Sequence, residues 1–399
     1  MNRPELLAPA GDLERLKWAI DYGADAVYLG GKEFSLRSNA KNFSLEEIKE
    51  GCEYAHARNK KVYVTVNILF HENDTNGLIE YLKHLEECKV DAIISSDLFI
   101  LDLIKKENIN IEFHLSTQKS SLNSEAVKFY LKNGVKRVVL ARECSLDDMK
   151  SIKARTNADM EVFIHGAMCM GYSGRCTLSN YFTNRDSNRG ACAQICRWVF
   201  DLYDGDEKVS NETKFSFAPK DQQLLLYIKE LMEIGVNSFK IEGRMKSVYY
   251  LATILSVYRK VIDGILDGTY KYDPLDEIIL RRCANRESLP QYVKEFPGVN
   301  EQYYMDREEK TNQDFLGVVL GYDKKTKEII LEERNYFSVG DKINIFSPGN
   351  RSIFLDVKYI KNEANEFVEN ANHPREVLRI PCDTEVNVND LIRVDFINW

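Results

Sequence analysis

Eight short apolar runs alternate with amphipathic stretches between Glu5 and Gly264, and this repetition limits the fold more than any other feature. Within the stretches, apolar residues recur at three- and four-residue spacing, as in helices that bury one face. Residue types that begin or end helices stand at the expected places: Asp12, Ser44, Asn123 and Ser145 as N-caps, and Gly23, Gly134 and Gly235 as stops. Eight strand–helix units over about 260 residues predict an α/β fold, a (β/α)8 TIM-type barrel.

A doubly wound open sheet is the alternative arrangement for strands and helices that alternate along a chain. That fold more often carries a glycine-rich loop after its first strand, where the backbone binds a dinucleotide. Residues 8–14, APAGDLE, lack the spacing G-x-G-x-x-G. The barrel is therefore the favoured prediction, and NAD or FAD binding is not expected.

The pattern changes twice after the predicted barrel, which we place at residues 1–265. Residues 266–312 are polar and contain three prolines, so we expect a connecting arm with one short helix from Leu275 to Arg282. Residues 313–399 alternate apolar and polar residues between turn signals, which predicts a small C-terminal all-β barrel as an accessory domain. Its cations are typical of an RNA contact or of an ordinary solvated surface: Lys324, Lys325, Lys327, Arg334, Lys342 and Arg351.

In a barrel of this kind, the chemistry belongs at the carboxyl ends of the strands. The predicted strand ends supply a polar set: Gly30, Lys32, Asn67, Asp97, His114, Gln118, Arg142, His165, Glu242 and Arg244. We predict that His165, Glu242 and Arg244 are catalytic, and that His114, Arg142 and Lys246 bind substrate. The two histidines would bind a carboxylate or move a proton near neutral pH. Packed histidines and a solvated helix start capped by Ser247 are the alternatives.

Four of the nine cysteines lie in the loop predicted after the seventh strand, residues 167–213. Cys169, Cys176, Cys192 and Cys196 have the spacing C-x6-C-x15-C-x3-C. Residues 169–200 carry four arginines and one carboxylate, a local charge of +3 in a chain of net charge −8. The N-terminus shows no signal-peptide pattern, so disulfides are not expected. Spacing alone leaves structural zinc, an iron–sulfur cluster and ordinary thiols open.

The remaining composition bears on location and partners. The other five cysteines are scattered among apolar residues and are predicted to be buried reduced thiols: Cys52, Cys88, Cys144, Cys283 and Cys382. No apolar run reaches the ~18 residues of a membrane helix, so we expect a cytoplasmic protein without a membrane partner. The acidic net charge argues against a general nucleic-acid coat, but not against RNA binding by a local basic face.

The cysteine-rich stretch also follows a long and specific family motif, carried by Glu161, Phe163, Gly166, Ala167, Cys169, Gly174, Cys176 and Ser179. Together with residues 5–31 and 239–259, this motif resembles the collagenase-like peptidase family, peptidase family U thirty-two. The better-understood bacterial members of that family are similar to oxygen-independent hydroxylases. The family includes a tRNA hydroxylase that forms 5-hydroxyuridine at the anticodon wobble position, with prephenate as hydroxyl donor.

The resemblance implies a cofactor and partners for this chain. Cys169, Cys176, Cys192 and Cys196 would hold a [4Fe–4S] cluster, and tRNA and a small dicarboxylate would bind. A paralogous partner subunit is left open. Prephenate carries two carboxylates, which need paired cations, and guanidinium groups bind carboxylates through two hydrogen bonds. The candidate arginines are Arg142, Arg185, Arg189 and Arg244.

Two other classes of function compete with the hydroxylase. A collagenase-like peptidase needs a nucleophile with a base, or a metal-bound water. The chain contains neither H-E-x-x-H nor G-x-S-x-G, although Cys169 or Cys176 with His165 as base would form a nucleophilic pair. That arrangement leaves the other clustered cysteines without a role. The third class is a non-catalytic scaffold in which a cluster only shapes the protein.

Overall fold

Eight parallel strands close into a barrel in the computed structural model, which describes residues 1–36, 41–210, 214–305 and 313–396. Each strand pairs with the next along the chain, and the eighth pairs with both the seventh and the first. The predicted (β/α)8 barrel is therefore confirmed. Its strands are Glu5–Pro9, Ala26–Gly30, Lys61–Thr65, Ala92–Ser95, Glu112–Leu115, Arg137–Val139, Asp159–Gly166 and Ser238–Ile241.

The helices surround the barrel and bury their apolar faces against it, except for one short helix in the cysteine-rich loop. They are α1 Leu13–Asp21, α2 Leu45–His56, α3 Leu78–Glu87, α4 Leu98–Lys106, α5 Ser124–Lys132, α6 Leu146–Thr156, α7 Leu178–Thr183, α8 Ile228–Ile234, α9 Val248–Leu266 and α10 Pro274–Cys283. The predicted N-caps all accept a hydrogen bond from the first turn, and Ser44 and Ser145 form complete capping boxes. Across the described ranges, no helix combines the length and apolar character needed to span a membrane.

The barrel interior contains charges as well as apolar side chains. Leu7, Tyr28 and Tyr63 belong to its apolar cluster. Beside them, the buried Arg137 contacts Glu161 (3.4 Å), and Lys240 Nζ lies 2.7 Å from Glu161 Oε1. Burial alone would raise the pKa of Glu161, but Lys240 and Arg137 together hold this pKa below its usual range. Arg137 also pairs with Glu5, and Tyr63 donates to Glu5 at 2.6 Å, so the network is extensively bonded.

The segment predicted as a connecting arm is only partly a connection. Its helix, α10, extends one residue beyond the predicted helix at each end. Ser288–Leu289 pairs with Asp221–Gln223, which in turn pairs with the end of the seventh strand and enlarges the sheet. Gln302–Met305 pairs with Phe215–Pro219, a strand just after the cysteine-rich loop that also pairs with Val199–Phe200 within it. The arm therefore braces that loop, and residues 306–312 lie outside the described residues.

The C-terminal part is an all-β domain, as predicted. Eight strands form an antiparallel sheet around a core of its own: Phe315–Asp323, Glu328–Glu333, Lys342–Phe346, Ser352–Asp356, Ile360–Lys361, Phe367–Val368, Val377–Pro381 and Leu391–Val394. The Tyr249 ring stacks on Phe315 at 4.8 Å, and Tyr22 donates to the Asn389 carbonyl at 2.9 Å. These contacts join the domain to α1 and α9. Several of its predicted surface cations pair with nearby carboxylates, including Lys324, Lys327 and Arg334.

Candidate functional site

A cavity opens at the carboxyl ends of the barrel strands, where the sequence predicts the chemistry. Its wall contains Asn67, Gln118, Arg142, Glu242 and Arg244 from the predicted strand-end set. All four clustered cysteines line the same cavity: Cys169, Cys176, Cys192 and Cys196. The fold therefore brings together residues that are far apart in the sequence, such as Asn67 and Arg244, which are 177 positions apart.

Several neutral groups contribute to holding Arg244 in the cavity wall. Its guanidinium donates to Asn42 Oδ1 at 2.7 Å and to the Leu36 carbonyl at 3.1 Å, and it also contacts Ser35 Oγ at 3.3 Å. The side chain is 5% exposed, so its planar group has little freedom to turn. Gly30 makes the position possible, because a Cβ at that glycine would lie 2.2 Å from Arg244 Nη2.

Arg142 and Glu242 face each other on the same wall. Arg142 Nη2 lies 3.7 Å from Glu242 Oε2, and Arg142 Nη1 donates to Ser173 Oγ at 3.0 Å. The Arg142 guanidinium also sits over the Phe163 ring at 3.9 Å. Tyr28 OH approaches the same Glu242 oxygen at 3.4 Å. The ends of barrel strands two, seven and eight thus form one polar surface together with the loop after strand six.

Lys240 lies at the boundary between this cavity and the charged interior of the barrel. The side chain lines the cavity, pairs with Glu161 and sits over the Tyr28 ring at 4.3 Å. Its ammonium therefore links a closed ion-pair network to an open site. We did not predict a site role for Lys240 or Tyr28. Strand alternation from Glu242 was the available signal, because it places residue 240 on the same face as residue 242.

The cysteine-rich loop supplies hydrogen-bond donors to one of its own thiols, Cys192. Gln194 N donates to Cys192 Sγ at 3.4 Å, and Ser179 Oγ lies 3.9 Å from the same sulfur. Burial raises the pKa of the Cys196 thiol, the neighbouring Arg197 lowers it, and Cys169, Cys192 and Cys176 raise it further. All nine cysteines lie within the described ranges as free thiols. The other five are buried as predicted, except for Cys88, which is half-buried.

The four thiols have the donor chemistry of a metal centre. Four thiols on one cavity wall provide the ligand type that zinc and iron–sulfur clusters share. In the ranges that the structure covers, no three histidine, cysteine, aspartate or glutamate side chains form a group that could hold a metal ion as they stand. The four cysteines therefore fit a thiolate-bound centre in two respects: they supply sulfur donors, and they line one cavity. To bind such a centre, the loop would have to bring the sulfurs closer together.

Arg189 and Arg185 lie away from the cavity wall. Arg189 pairs with Asp74 and donates to the Leu69 carbonyl at 2.8 Å, so it clamps the cysteine-rich loop to the loop after strand three. Hydrogen bonds from Arg189 lower the pKa of Asp74 to about 2. Arg185 follows α7 on the exposed outer surface. Both were predicted to bind a carboxylate substrate, and neither is brought to the described cavity wall.

His165 lies outside the cavity because strand seven contains a bulge. Phe163 pairs with Lys240, but His165 pairs with Ile241, so Ile164 is an extra residue. The bulge turns His165 toward α9, where Nδ1 lies 3.2 Å from Tyr258 OH. Burial and the nearby Lys246 lower the pKa of His165 to about 3. The imidazole is therefore neutral near pH 7, and this position does not support the predicted catalytic role.

His114 and Lys246 also lie outside the described cavity wall. His114 is 2% exposed, packs against Tyr63 at 4.8 Å and lies 3.4 Å from Glu112. Its neighbours belong to the lower interior of the barrel, away from the strand ends. Lys246 sits over the Tyr250 ring, and burial together with Arg286 lowers its pKa. The predicted substrate-binding roles of His114 and Lys246 are not supported by these positions.

Fold and site together define a TIM-type barrel whose mouth is lined by strand-end cations and by a four-cysteine loop. The chain belongs to peptidase family U32. The sequence profile described as peptidase family U32 matches residues 11–303, and the profile of the U32 C-terminal domain matches residues 311–393. The resemblance predicted from the cysteine-rich motif is therefore confirmed.

Three curated relatives show the range of names in this family. The chain is 44% identical to the tRNA hydroxylation protein P1 of Bacillus subtilis, over 98% of this chain and 95% of that protein. It is 40% identical to the 23S rRNA 5-hydroxycytidine C2501 synthase of Escherichia coli, over 67% of this chain and 40% of that protein. It is 35% identical to a collagenase of Porphyromonas gingivalis, over 68% of both chains.

Proposed function

We propose that this protein is a tRNA hydroxylase that forms 5-hydroxyuridine at the anticodon wobble position in the cytoplasm. Under this proposal the hydroxylation does not use molecular oxygen, and a small dicarboxylate, prephenate, donates the hydroxyl group. The observation that carries the proposal is the shared cavity of the four cysteines and the strand-end cations. The names of two relatives, a tRNA hydroxylation protein and an rRNA hydroxycytidine synthase, support an RNA-modifying hydroxylase.

The cations of the cavity are suited to a donor with two carboxylates. Arg142 and Arg244 both line the cavity, and each is oriented by hydrogen bonds to neutral oxygens. A guanidinium held in this way loses little conformational entropy when it binds a carboxylate. Lys240 adds a third cation at the inner end of the cavity. The structure thus favours Arg142 and Arg244 over Arg185 and Arg189 as the donor-binding pair.

The four cysteines would hold a [4Fe–4S] cluster at the outer side of the same cavity. Such a cluster supplies electron-transfer chemistry when it is bound. The chain's own contribution is to place Cys169, Cys176, Cys192 and Cys196 beside the donor site. The Arg189–Asp74 clamp fixes the loop that carries them to the barrel rim. Glu242 is positioned by Arg142 and Tyr28 to accept a proton or a hydrogen bond from the RNA base.

A peptidase is a weaker candidate for this site. Cysteine peptidases need a histidine within hydrogen-bond reach of the nucleophile. No histidine belongs to the cavity wall among the described residues, and His165 packs against Tyr258 on the other side of the bulge. A base for Cys169 or Cys176 is therefore not supplied by the predicted histidine. The relative named collagenase shows only that this name occurs in the family.

The test is nucleoside analysis of tRNA from a bacterial host that lacks its own activity. Expression of this chain is expected to produce 5-hydroxyuridine, detected by mass spectrometry, and Arg142→Ala or Arg244→Ala is expected to abolish it. Arg155→Ala is the matched control, because Arg155 is exposed near the end of α6, on the opposite side of the barrel from the cavity. Absence of 5-hydroxyuridine with the wild-type chain, produced anaerobically with iron, would contradict the proposal.

A further inference from the structure

Exposed aromatic side chains stand on the cysteine-rich loop beside the cavity. Tyr181 is 86% exposed and Phe182 is 48% exposed, and both belong to α7. Their rings contact each other edge to face at 5.5 Å. Large apolar side chains exposed next to one another commonly mark a binding surface. We call Tyr181 and Phe182 the aromatic platform.

The platform is connected to the cavity wall at both of its ends. Cys176 lies two residues before α7 and Ser187 lies four residues after it, and both line the cavity. Ser187 Oγ donates to the Cys176 carbonyl at 2.6 Å, and Asn188 Nδ2 donates to the same carbonyl at 3.1 Å. The segment between them is therefore a closed loop on the rim. Its inner side faces Cys192, which leaves Tyr181 and Phe182 on the outer side.

A row of aromatic rings supports the platform from behind. Phe182 contacts Phe200 at 5.7 Å, Phe200 contacts Phe217 at 5.7 Å, and Phe217 contacts Phe215 at 4.8 Å. Phe215–Pro219 is itself a strand held between two neighbouring strands. Because its support is fixed in a sheet, the platform presents rigid aromatic surface. Rigid rings lose little conformational entropy when a flat ligand stacks on them.

The exposed cations of the loop indicate the kind of ligand. Arg189 is paired with Asp74, and Arg197 is mostly buried beside Asp221. The exposed arginines are Arg175 and Arg185, and Arg185 stands just after α7, beside the rings. Aromatic rings next to cations on a locally basic surface fit single-stranded nucleic acid, whose bases stack while its phosphates bind the cations. A partner protein with an apolar face would not require the exposed Arg175 and Arg185.

We propose that the aromatic platform stacks the unpaired bases next to the target nucleotide of an RNA loop, and that Arg185 contacts the adjoining phosphate. This inference rests on the proposed RNA hydroxylase function and adds the surface that receives the RNA loop. It also gives a reason why single-stranded RNA would be selected over a duplex. The bases of a helix are already stacked on one another and offer the platform no free face.

The chain offers a matched control for the platform. Tyr203 is 59% exposed and belongs to the same loop, but it lies in a small hairpin with Asp204 and Glu207. Phosphate groups are repelled from such an acidic hairpin, so Tyr203 should not contact RNA. Tyr203→Ala therefore removes another exposed tyrosine of the loop without touching the proposed surface. Tyr181→Phe keeps the aromatic ring and is expected to keep RNA affinity. Phe182→Leu keeps an apolar side chain in contact with Phe200 but removes the aromatic face on which a base would stack.

The experiment is a fluorescence binding titration with a short RNA hairpin that has an unpaired loop, and with a fully paired RNA duplex. Tyr181→Ala and Phe182→Leu are each expected to weaken hairpin binding by about 5- to 150-fold, with duplex binding unchanged. Tyr203→Ala should bind like the wild type. Arg185→Gln is expected to lower the slope of log affinity against log salt by about 0.7, the contribution of one phosphate.

The other outcomes separate this inference from the proposed function. If the wild type binds the hairpin and Tyr181→Ala binds it equally well, the platform is wrong and the hydroxylase proposal stands. If the wild type binds no hairpin but its expression still produces 5-hydroxyuridine in tRNA, the platform is wrong and the hydroxylase proposal stands; if neither is observed, both are overturned. If the platform variants change only the mass of the protein's complexes in sedimentation, with RNA affinity intact, the surface is a protein interface and the inference fails.

Discussion

The barrel holds two charged regions, one in its lower interior and one at its mouth. In the lower region, Arg137, Glu161 and Lys240 form ion pairs that are almost completely buried. At the mouth, Arg142 and Glu242 stand 3.7 Å apart on the wall of an open cavity. Both regions consist of arginine or lysine with glutamate. They differ in burial and in whether a ligand has room to approach.

The difference shows how the same residue types serve structure in one place and chemistry in another. Removing a buried carboxylate, or one of the two cations that hold it, is costly. The remaining group is then a charge without compensation in a medium of low polarity. Arg142 and Arg244 instead line an open cavity, where an incoming carboxylate has room to bind their guanidinium groups. Lys240 belongs to both regions, and variants around it separate the two roles.

The largest expected effect is on stability, from Glu161→Gln. This substitution keeps the shape of the side chain but removes the negative charge between Lys240 and Arg137. We expect a loss of about 3–5 kcal/mol in the free energy of unfolding, measured by chemical denaturation. Glu50→Gln is the control, because Glu50 pairs with Lys17 on the surface, and it should leave the denaturation midpoint unchanged. Equal midpoints for both variants would remove the distinction between the two regions.

The second prediction concerns the mouth and uses Gly30→Ala. The added methyl group would lie 2.2 Å from Arg244 Nη2 and 2.3 Å from Ser35 Oγ, so the guanidinium must move. We expect a cost of about 1–3 kcal/mol in unfolding free energy and a loss of 5-hydroxyuridine in tRNA. Gly321→Ala is the matched control, since its nearest contact would be an ordinary 3.8 Å from Ile330. Full activity of Gly30→Ala would show that the position of Arg244 does not matter.

The smallest predicted effect comes from the Asp74–Arg189 clamp, which is partly exposed. The pKa of Asp74 is about 2, below the value of about 3.9 for an unfolded aspartate. The clamp therefore stabilises the fold above the unfolded pKa, and this contribution is lost as the pH falls toward 2. Asp74→Asn should lower stability at pH 7 by about 0.2–1 kcal/mol. Thermal unfolding should show the difference from wild type narrowing below pH 4, and a constant difference would contradict the assignment.

Much of the fold was predictable from local sequence patterns. Helix periodicity and caps such as Ser44 and Ser145 predicted eight strand–helix units. Because the carboxyl ends of barrel strands meet at one mouth, this prediction also placed Arg142, Glu242 and Arg244 there. His165 was misplaced because a single inserted residue, Ile164, breaks the strand alternation, and a bulge leaves no clear sign in the residue types. The partner of Arg189 was also hidden, because Asp74 lies 115 positions away in the sequence.

The cysteine-rich loop shows a different limit of sequence analysis. Its spacing identified a shared ligand set, and the structure places all four thiols on one cavity. The spacing alone left zinc, a cluster and ordinary thiols open, because all three use the same sulfur donors. Only chemical analysis of the protein separates them. The central claim, that these cysteines hold an iron–sulfur cluster, therefore depends on one direct measurement.

That measurement is iron, sulfide and zinc analysis of protein purified without oxygen, with an absorbance spectrum. We predict about four iron and four sulfide per chain, with a broad band near ~400 nm. Cys192→Ala should lose the iron, while Cys382→Ala should keep it, because Cys382 is buried in the C-terminal domain. One zinc per chain, or no metal after anaerobic reconstitution with iron and sulfide, would contradict the account.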